Sequence, residues 1–307
     1  MVFPPKLRAV SYIFFIASLA LMVFGIILAL RVDSNRRAAE SKKISLSATI
    51  FPLYDALSKI GGDRISASLI LPAGASPHTF EPSADILKKN EAVKAVFKIG
   101  IIDDWADGIA ASSGAVLYPV SDKIEMMPFN EGSEKGSPDP HYWLSFENAK
   151  IISENIAHEL IRIDPEGKAY YENNLDRYLS LIDEMKTKTA SVMSGVKGRK
   201  IASFHDAWGY FAKEEGIIIS AVFEESPGVE PSAKDVRKFI DSAKNEGVKV
   251  FLIEPQFSSD SAEAVGSDAG LYLTTVDPEG TPNKFSSYPE MLYENAKKIE
   301  DALISAK

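Results

Sequence analysis

The chain of 307 residues contains no cysteine and only four histidines. Without cysteine there is no disulfide, no thiolate metal ligand and no thiol nucleophile, and we expect no lipid-modified N-terminal cysteine. An excess of basic charge is also lacking, because 43 Asp and Glu outnumber 34 Lys and Arg and the formal net charge is −9. This balance argues against nucleic acid as a partner, since nucleic-acid-binding domains carry a basic face.

A long apolar run lies near the N-terminus. From Ala9 to Leu30 no residue is charged, and about 22 residues suffice to cross about 30 Å of hydrocarbon as a helix. A cleaved signal peptide has a shorter apolar region, of about 7–15 residues. We therefore expect residues 1–31 to be an uncleaved signal-anchor, with a cleaved signal peptide as the alternative. The cations after this segment outnumber those before it, which taken alone opposes export, but the rest of the chain favours an extracytoplasmic domain, membrane-anchored or, after cleavage, periplasmic or secreted.

Apolar residues make up 45% of the chain and charged residues 25%, as is typical of a globular protein with a core. After a polar linker at residues 32–43, short apolar strands alternate with stretches of helical spacing, which predicts parallel sheets covered by helices on both faces. The predicted strands are Ile44–Ile50, Ile65–Leu71, Ala95–Ile99, Val116–Val120, Lys200–Ser203, Ile217–Phe223, Val248–Ile253 and Leu271–Val276.

One helix is predicted to be much longer than the others. After Pro165, helical spacing continues without proline to Met193, over about 28 residues and about 42 Å. A helix of this length is expected to join two lobes. The predicted fold is thus α/β, with two doubly wound lobes joined by one long rigid helix and preceded by an N-terminal transmembrane segment. We expect the lobes at residues 44–163 and 196–307, with the connecting helix at 164–195.

Three of the four histidines, His78, His141 and His205, lie in or just after a loop that follows a predicted strand, and Asp277 directly follows the last strand. In doubly wound folds, ligands bind beyond the carboxyl ends of the strands. Three imidazoles and one carboxylate can complete a four-coordinate shell for zinc or a neighbouring metal. Spacings above 60 residues make this pattern weak by itself, because a single histidine is more commonly a surface residue. We keep that interpretation for His158, in the middle of a predicted helix.

Several short motifs are more specific than the spacing. They are Ala48–Tyr54 followed by Ile60–Gly62, then Pro77–Ser83, Asp139–Leu144, Phe204–Tyr210, Glu254–Phe257 and Asp277–Gly280. In this order, from about Ile44 to the C-terminus, the chain resembles the cluster A-I substrate-binding proteins of ABC transporters for zinc and manganese, the zinc-uptake and TroA-like group.

The resemblance implies two lobes joined by one rigid helix, with one metal ion bound between them as the transported ligand. His78 and His141 would come from the first lobe, and His205 and Asp277 from the second. It also implies a monomer that is not an enzyme and that delivers its metal to a cognate ABC permease. A rigid helix limits hinge closure, so binding is expected to order loops more than it moves domains.

Zinc is the favoured metal, because manganese-selective members of the group tend to carry glutamate where this chain has His205, and three nitrogen donors favour zinc. Mn²⁺ and Fe²⁺ are the alternatives, since some members with three histidines and an aspartate bind them. The loop Ser121–Pro140 lacks the histidines that zinc-binding members often carry there.

Two carboxylates, Glu254 and Glu81, are further candidates for orienting a ligand, although Glu81 also suits a helix start. From other classes of protein, a zinc hydrolase with Glu254 as general base and a surface adhesin are the alternatives. The hydrolase lacks a compact motif such as His-Glu-x-x-His, and the adhesin has no independent support in the sequence.

Overall fold

The structure is a computed structural model that describes residues 22, 43–129, 135–224, 228, 231–257 and 259–306. Apart from Met22 and Lys43, the predicted N-terminal segment and its linker lie outside this part of the chain. Among the residues that are described, no helix combines the length and apolar character needed to cross a membrane. Ser45–Lys307 is one compact unit, and it contains both of the sheets below.

The first sheet has four parallel strands in the order β2-β1-β3-β4. They are β1 (Ile44–Ala48), β2 (Ile65–Leu69), β3 (Ala95–Lys98) and β4 (Val116–Pro119), and the helices between them are α1 (Phe51–Gly61), α2 (Ala84–Lys89) and α3 (Ala106–Ser113). All four residues of β3 are buried, as expected for a central parallel strand that is covered on both faces.

The second sheet repeats this plan in the order β6-β5-β7-β8. Its strands are β5 (Lys200–His205), β6 (Ile218–Glu224), β7 (Val250–Ile253) and β8 (Tyr272–Thr275). Its helices are α6 (Gly209–Glu215), α7 (Ala233–Asn245), α8 (Ser259–Ala269) and α9 (Tyr288–Ser305). Because all strands of a parallel sheet point the same way, their carboxyl ends form one edge, and that edge carries the polar residues of interest below.

Two helices connect the sheets, α4 (Phe146–Ile163) and α5 (Lys168–Met193). The 26 residues of α5 span about 39 Å, which confirms the predicted long helix. It begins at Lys168 because Pro165–Gly167 form a separate 3₁₀ turn. Helix α5 packs against α1, α4 and α9, and the buried carboxylate of Asp55 on α1 accepts a hydrogen bond from the hydroxyl of Tyr178 on α5 (2.7 Å).

Serine begins four of the helices. Ser83, Ser145, Ser232 and Ser287 precede α2, α4, α7 and α9, and each side chain accepts a hydrogen bond from a backbone N–H of the first turn. These N–H groups have no partner within the helix, so a serine at this position defines where the helix starts. Within the described residues, the eight predicted strands are present with ends shifted by one or two residues, and the long helix is present as well. The domain boundaries stay a prediction.

Candidate metal centre

His78, His141 and His205 meet in one cluster. The Nε2 atom of His141 lies 3.0 Å from Nε2 of His78 and 3.1 Å from Nε2 of His205. One ring nitrogen from each histidine lies within 4.8 Å of the others. For comparison, two nitrogen ligands of a tetrahedral zinc ion are about 3.3 Å apart when each is about 2.0–2.1 Å from the metal. The two Nε2–Nε2 distances at His141 are therefore close to the distance expected between two ligands of one zinc ion.

His78 comes from the loop between β2 and α2. Its neighbour Pro77 is buried, and the Pro77 carbonyl accepts a hydrogen bond from the indole N–H of Trp105 (2.9 Å). The backbone N–H of His78 points to the hydroxyl of Ser76 (3.4 Å). The fixed φ of proline and the tryptophan contact restrict this loop, so less conformational entropy is lost when a ligand binds.

His141 is oriented by Asp139. The Oδ1 atom of Asp139 accepts hydrogen bonds from both the backbone N–H (2.9 Å) and Nδ1 (2.8 Å) of His141. A proton held on Nδ1 leaves the lone pair of Nε2 directed at the cluster, which is the tautomer that a metal needs. Asp139 belongs to the motif Asp139–Leu144, but no role was predicted for it from the sequence. An aspartate two residues before a candidate histidine is the signal that could have identified it.

His205 is the last residue of β5 and not part of the following loop, because the strand continues two residues past its predicted end. The side chain is 4% exposed. Its Nδ1 atom is buried and has no hydrogen-bond partner among the described residues. His205 therefore depends on packing for its orientation, whereas His141 has a carboxylate for that purpose.

The environment of His78 and His205 favours the neutral form of their imidazoles. Burial, and then the charge of His141, lowers the pKa of His78 to about 3. Burial, and then His141 and His78, holds the pKa of His205 well below its usual value. The single lone pair on Nε2 of His141 can accept only one hydrogen bond, although it faces two neighbours. A cation that takes a lone pair from each ring satisfies all three at once.

Asp277 lies outside this three-histidine cluster in the structure. Its Oδ1 accepts a hydrogen bond from the backbone N–H of Gly280 (2.8 Å), and its Oδ2 accepts one from the ammonium of Lys284 (2.7 Å). The side-chain amide of Asn295 on α9 bonds the backbone of Asp277. Its Oδ1 accepts a hydrogen bond from the Asp277 N–H, and its Nδ2 donates one to the Asp277 carbonyl. The turn needs glycine, because Gly280 has φ of 67° and an added Cβ would collide with Met291. The carboxylate is thus well placed by its backbone but already carries a cationic partner.

The other candidate carboxylates differ in burial. Glu254, directly after β7, is buried, and its Oε1 accepts a hydrogen bond from the indole N–H of Trp208 (2.8 Å). Burial raises the pKa of Glu254 to about 8, and the charges of Asp277 and Glu224 add to that increase. Glu81 is exposed and does not belong to the histidine cluster. Glu254 therefore orients the tryptophan beside the site, and the structure gives Glu81 no such contact with the cluster.

Two further residues clarify the site. The side chain of His158 is 73% exposed and pairs only locally with Glu159 (3.2 Å), as expected for a surface histidine. Trp143 is fully buried, and its indole N–H donates to the carbonyl of Pro278 (2.8 Å). Because Trp143 lies two residues after His141, this bond joins the loop of His141 to the loop of Asp277.

Fold and site together define a two-lobed α/β protein with a candidate transition-metal centre built from imidazoles of both lobes. The sequence matches the family described as "Zinc-uptake complex component A periplasmic" over residues 47–302, and the chain belongs to this family.

Named relatives and a solved structure agree with this assignment. The high-affinity zinc uptake system protein ZnuA of Bacillus subtilis is 28% identical over 296 residues, which cover 89% of this chain and 92% of that protein. The iron ABC transporter substrate-binding lipoprotein MtsA of Streptococcus pyogenes serotype M1 is 28% identical over 88% of this chain and 92% of that protein. The structure of the SBP FpvC from Pseudomonas aeruginosa in complex with Mn²⁺ superposes with a TM-score of 0.77 at 25% identity, over 86% of this chain and 99% of that one.

Proposed function

We propose that this chain captures one divalent transition-metal ion, zinc by preference, outside the cytoplasm and delivers it to a cognate ABC permease. His78, His141 and His205 bind the metal through Nε2, and Asp277 supplies a fourth, carboxylate ligand. The observation that carries this proposal is the convergence of three Nε2 atoms, with His141 3.0 Å from His78 and 3.1 Å from His205, from segments of both lobes.

The preference for zinc follows from the donor atoms. Three imidazole nitrogens favour zinc over manganese, which prefers oxygen ligands. The relatives named above are a zinc, an iron and a manganese-complexed protein, so the family as such leaves Mn²⁺ and Fe²⁺ as alternatives. His205 and the histidine-only cluster support zinc for this chain.

The test is metal binding to purified protein from which bound metal has been removed. Affinities for Zn²⁺, Mn²⁺ and Fe²⁺ are measured by competition with a chelator, together with metal content by mass spectrometry. We expect one ion per chain, sub-micromolar zinc affinity, and a loss of about 100-fold or more for His78→Ala, His141→Ala or His205→Ala, because each removes one of the few ligands. The matched control is His158→Ala, which should bind zinc like the parent protein.

Unchanged zinc affinity in all three variants of the cluster would refute the proposal. A hydrolase with the same ligands would instead turn over ester, peptide or phosphate substrates when loaded with zinc. We expect no turnover, because Glu254, the candidate base, is buried and bonded to Trp208.

Delivery and location complete the proposal. Membership of a substrate-binding family supports a cognate permease as the partner, and the protein is proposed to act as a monomer. The apolar segment Ala9–Leu30 is proposed to anchor it in the cell membrane, with release into the extracytoplasmic space if that segment is cleaved. The lobes are proposed at 44–163 and 196–307. Fractionation of cells that express the full chain distinguishes the anchored from the released form.

A further inference from the structure

The ammonium of Lys284 is bonded to the carboxylate of Asp277, the proposed fourth ligand of the metal. The Lys284 Nζ atom lies 2.7 Å from Oδ2 of Asp277, whose side chain is only 6% exposed, while the Lys284 side chain is 41% exposed. The other oxygen of Asp277 accepts the N–H of Gly280 (2.8 Å). Both carboxylate oxygens therefore have partners within the segment 277–284, and Asp277 does not belong to the three-histidine cluster.

The loop itself holds Lys284 in this place. The carbonyl of Thr281 accepts hydrogen bonds from the backbone N–H groups of Lys284 and Phe285 (3.1 Å each). The ammonium also lies 5.2 Å from the centre of the Phe285 ring, within the range of a cation–π contact. The pairing thus combines a turn, a charge-assisted hydrogen bond and an aromatic contact in one segment.

A second lysine provides an internal comparison. The ammonium of Lys298 on α9 donates to the carbonyl of Thr275 (3.0 Å), two residues before Asp277, and does not contact the carboxylate. Burial, and then the positive charge of Lys284, lowers the pKa of Lys298. Two ammonium groups therefore stand near one carboxylate, and only one of them bonds it.

We propose that Lys284 is a specificity-determining residue, which competes with the incoming metal for Asp277 and thereby disfavours ions that depend on an oxygen ligand. The inference rests on the proposed function, since it needs Asp277 to be a ligand. Zinc gains most of its affinity from three imidazoles that are already assembled, whereas Mn²⁺ binds imidazole less strongly and depends more on the carboxylate. An ion that depends on the carboxylate must displace Lys284 in order to bind, whereas an ion held mainly by the three imidazoles loses less affinity when Lys284 stays in place.

The competition should affect the two metal affinities unequally. Asp277 adds a smaller share of the affinity for zinc, which the three imidazoles already hold, than of the affinity for Mn²⁺, so the exchange with Lys284 weakens Mn²⁺ binding more. Removing the ammonium should then tighten Mn²⁺ binding about fivefold, a modest factor because a half-exposed ion pair is screened by solvent. Zinc affinity should change about twofold or less.

The experiment compares Zn²⁺ and Mn²⁺ affinities, by chelator competition, for the parent protein, Lys284→Met, Lys284→Gln and the control Lys298→Met. Both lysine substitutions to methionine remove one charge near Asp277, but only one removes a bond to it. We expect the Lys284 variants to raise the ratio of Mn²⁺ to Zn²⁺ affinity, Lys298→Met to leave it within about twofold, and Lys284→Arg to retain the parent ratio. Lys284→Met should also lower the Tm of the metal-free protein, because a buried carboxylate loses its counter-ion.

The Asp277→Asn variant tests whether Lys284 changes the affinity ratio through Asp277. In that background Lys284→Met should no longer change the ratio, and a change that persists there overturns the inference, as does equal behaviour of Lys284→Met and Lys298→Met. His141→Ala separates the two proposals. If it abolishes zinc binding while the ratio is insensitive to Lys284, only the role of Lys284 fails. If it leaves zinc binding intact, the proposed metal centre itself fails.

Discussion

The two sheets share one strand order but treat buried negative charge in opposite ways. Behind the first sheet, the carboxylate of Asp103 accepts hydrogen bonds from the hydroxyl of Thr49 (2.6 Å) and from the backbone N–H groups of Ile99 (2.7 Å) and Gly100 (2.8 Å). At the second sheet, Glu254 has one such bond, to Trp208 (2.8 Å). Although the two sheets have the same topology, the Asp103 carboxylate accepts three hydrogen bonds and that of Glu254 accepts one.

Neighbouring charges increase this contrast. Burial raises the pKa of both residues, but Lys98 and the hydrogen bonds of Asp103 work against it, whereas Asp277 and Glu224 raise the pKa of Glu254 further. The carboxylate of Asp103 has a structural role, because it accepts hydrogen bonds from the backbone of the loop after β3. Glu254 lies near other acids, Asp277 and Glu224, and their negative charge together with burial favours its protonated form.

The largest effect on stability is expected when the carboxylates of Asp103 and Glu254 are each replaced by an amide of the same shape. Asp103→Asn places an amide N–H₂ against groups that are themselves donors, so we expect the free energy of unfolding to fall by about 2–4 kcal/mol. Glu254→Gln retains an oxygen for Trp208, and because burial raises the pKa of Glu254 to about 8 the carboxyl is already largely neutral at pH 7, so the stability of the metal-free protein should change little. Urea unfolding at pH 7 measures both. Equal losses in the two variants would contradict the comparison.

The second prediction concerns the histidine that has a carboxylate partner. Asp139→Asn weakens the hydrogen bond that holds the proton of His141 on Nδ1, and substitutions of this kind cost about 10–100-fold in metal affinity. We expect a loss of that size in zinc affinity, measured by chelator competition. Substitution of the exposed Asp104, which pairs with Lys98 away from the cluster, is the control. An Asp139→Asn protein with parent affinity would mean that packing alone orients His141, as it does His205.

The smallest effect concerns a buried acid that is remote from the metal. Burial, and then the charge of Glu214, raises the pKa of Glu215 to about 7. A raised pKa favours the neutral form in the folded state, so the parent loses stability as pH rises from about 4.5 to about 7. Glu215→Gln should therefore match the parent near pH 4.5 and exceed it by about 1–2 kcal/mol at pH 8. Urea unfolding of the metal-free proteins at both pH values tests this.

The matched control for that measurement is Glu263→Gln on the surface of α8, where an exposed side chain should give the same stability difference at both pH values. A constant difference for Glu215→Gln as well would show that its carboxyl is solvated in the folded protein.

Most of the fold was accessible from periodicity and helix-start residues. The α4 helix spans Phe146–Ile163, and Ser145 and the proline after Asp164 mark its two ends in the sequence. The end of β5 was predicted two residues early, since the alternation of apolar residues stops before His205. Continued pairing with β6, where His205 lies opposite Glu224, is a tertiary effect that no local pattern contains.

The site was harder to predict from the sequence than the fold, for a physical reason. Residue type and motif identified the three histidines, but the partners that adjust them are distant or chemically ordinary. Asp139 was visible as a neighbour of His141. Lys284 is one lysine among many, seven residues beyond Asp277, and only the turn around Gly280 brings its ammonium to the carboxylate. Sequence could thus propose ligands, but it could not show which one is already paired.

The wide separation of the three histidines has a consequence for when metal is acquired. They are 63 and 64 positions apart along the chain, and closing each such loop in a disordered chain costs about 4 kcal/mol of entropy. A nascent polypeptide is therefore a poor chelator, because no two of these ligands are neighbours until tertiary structure exists. Loading should take place only where folding is completed, and a chain in transit through a metal-rich compartment should leave that metal pool undisturbed.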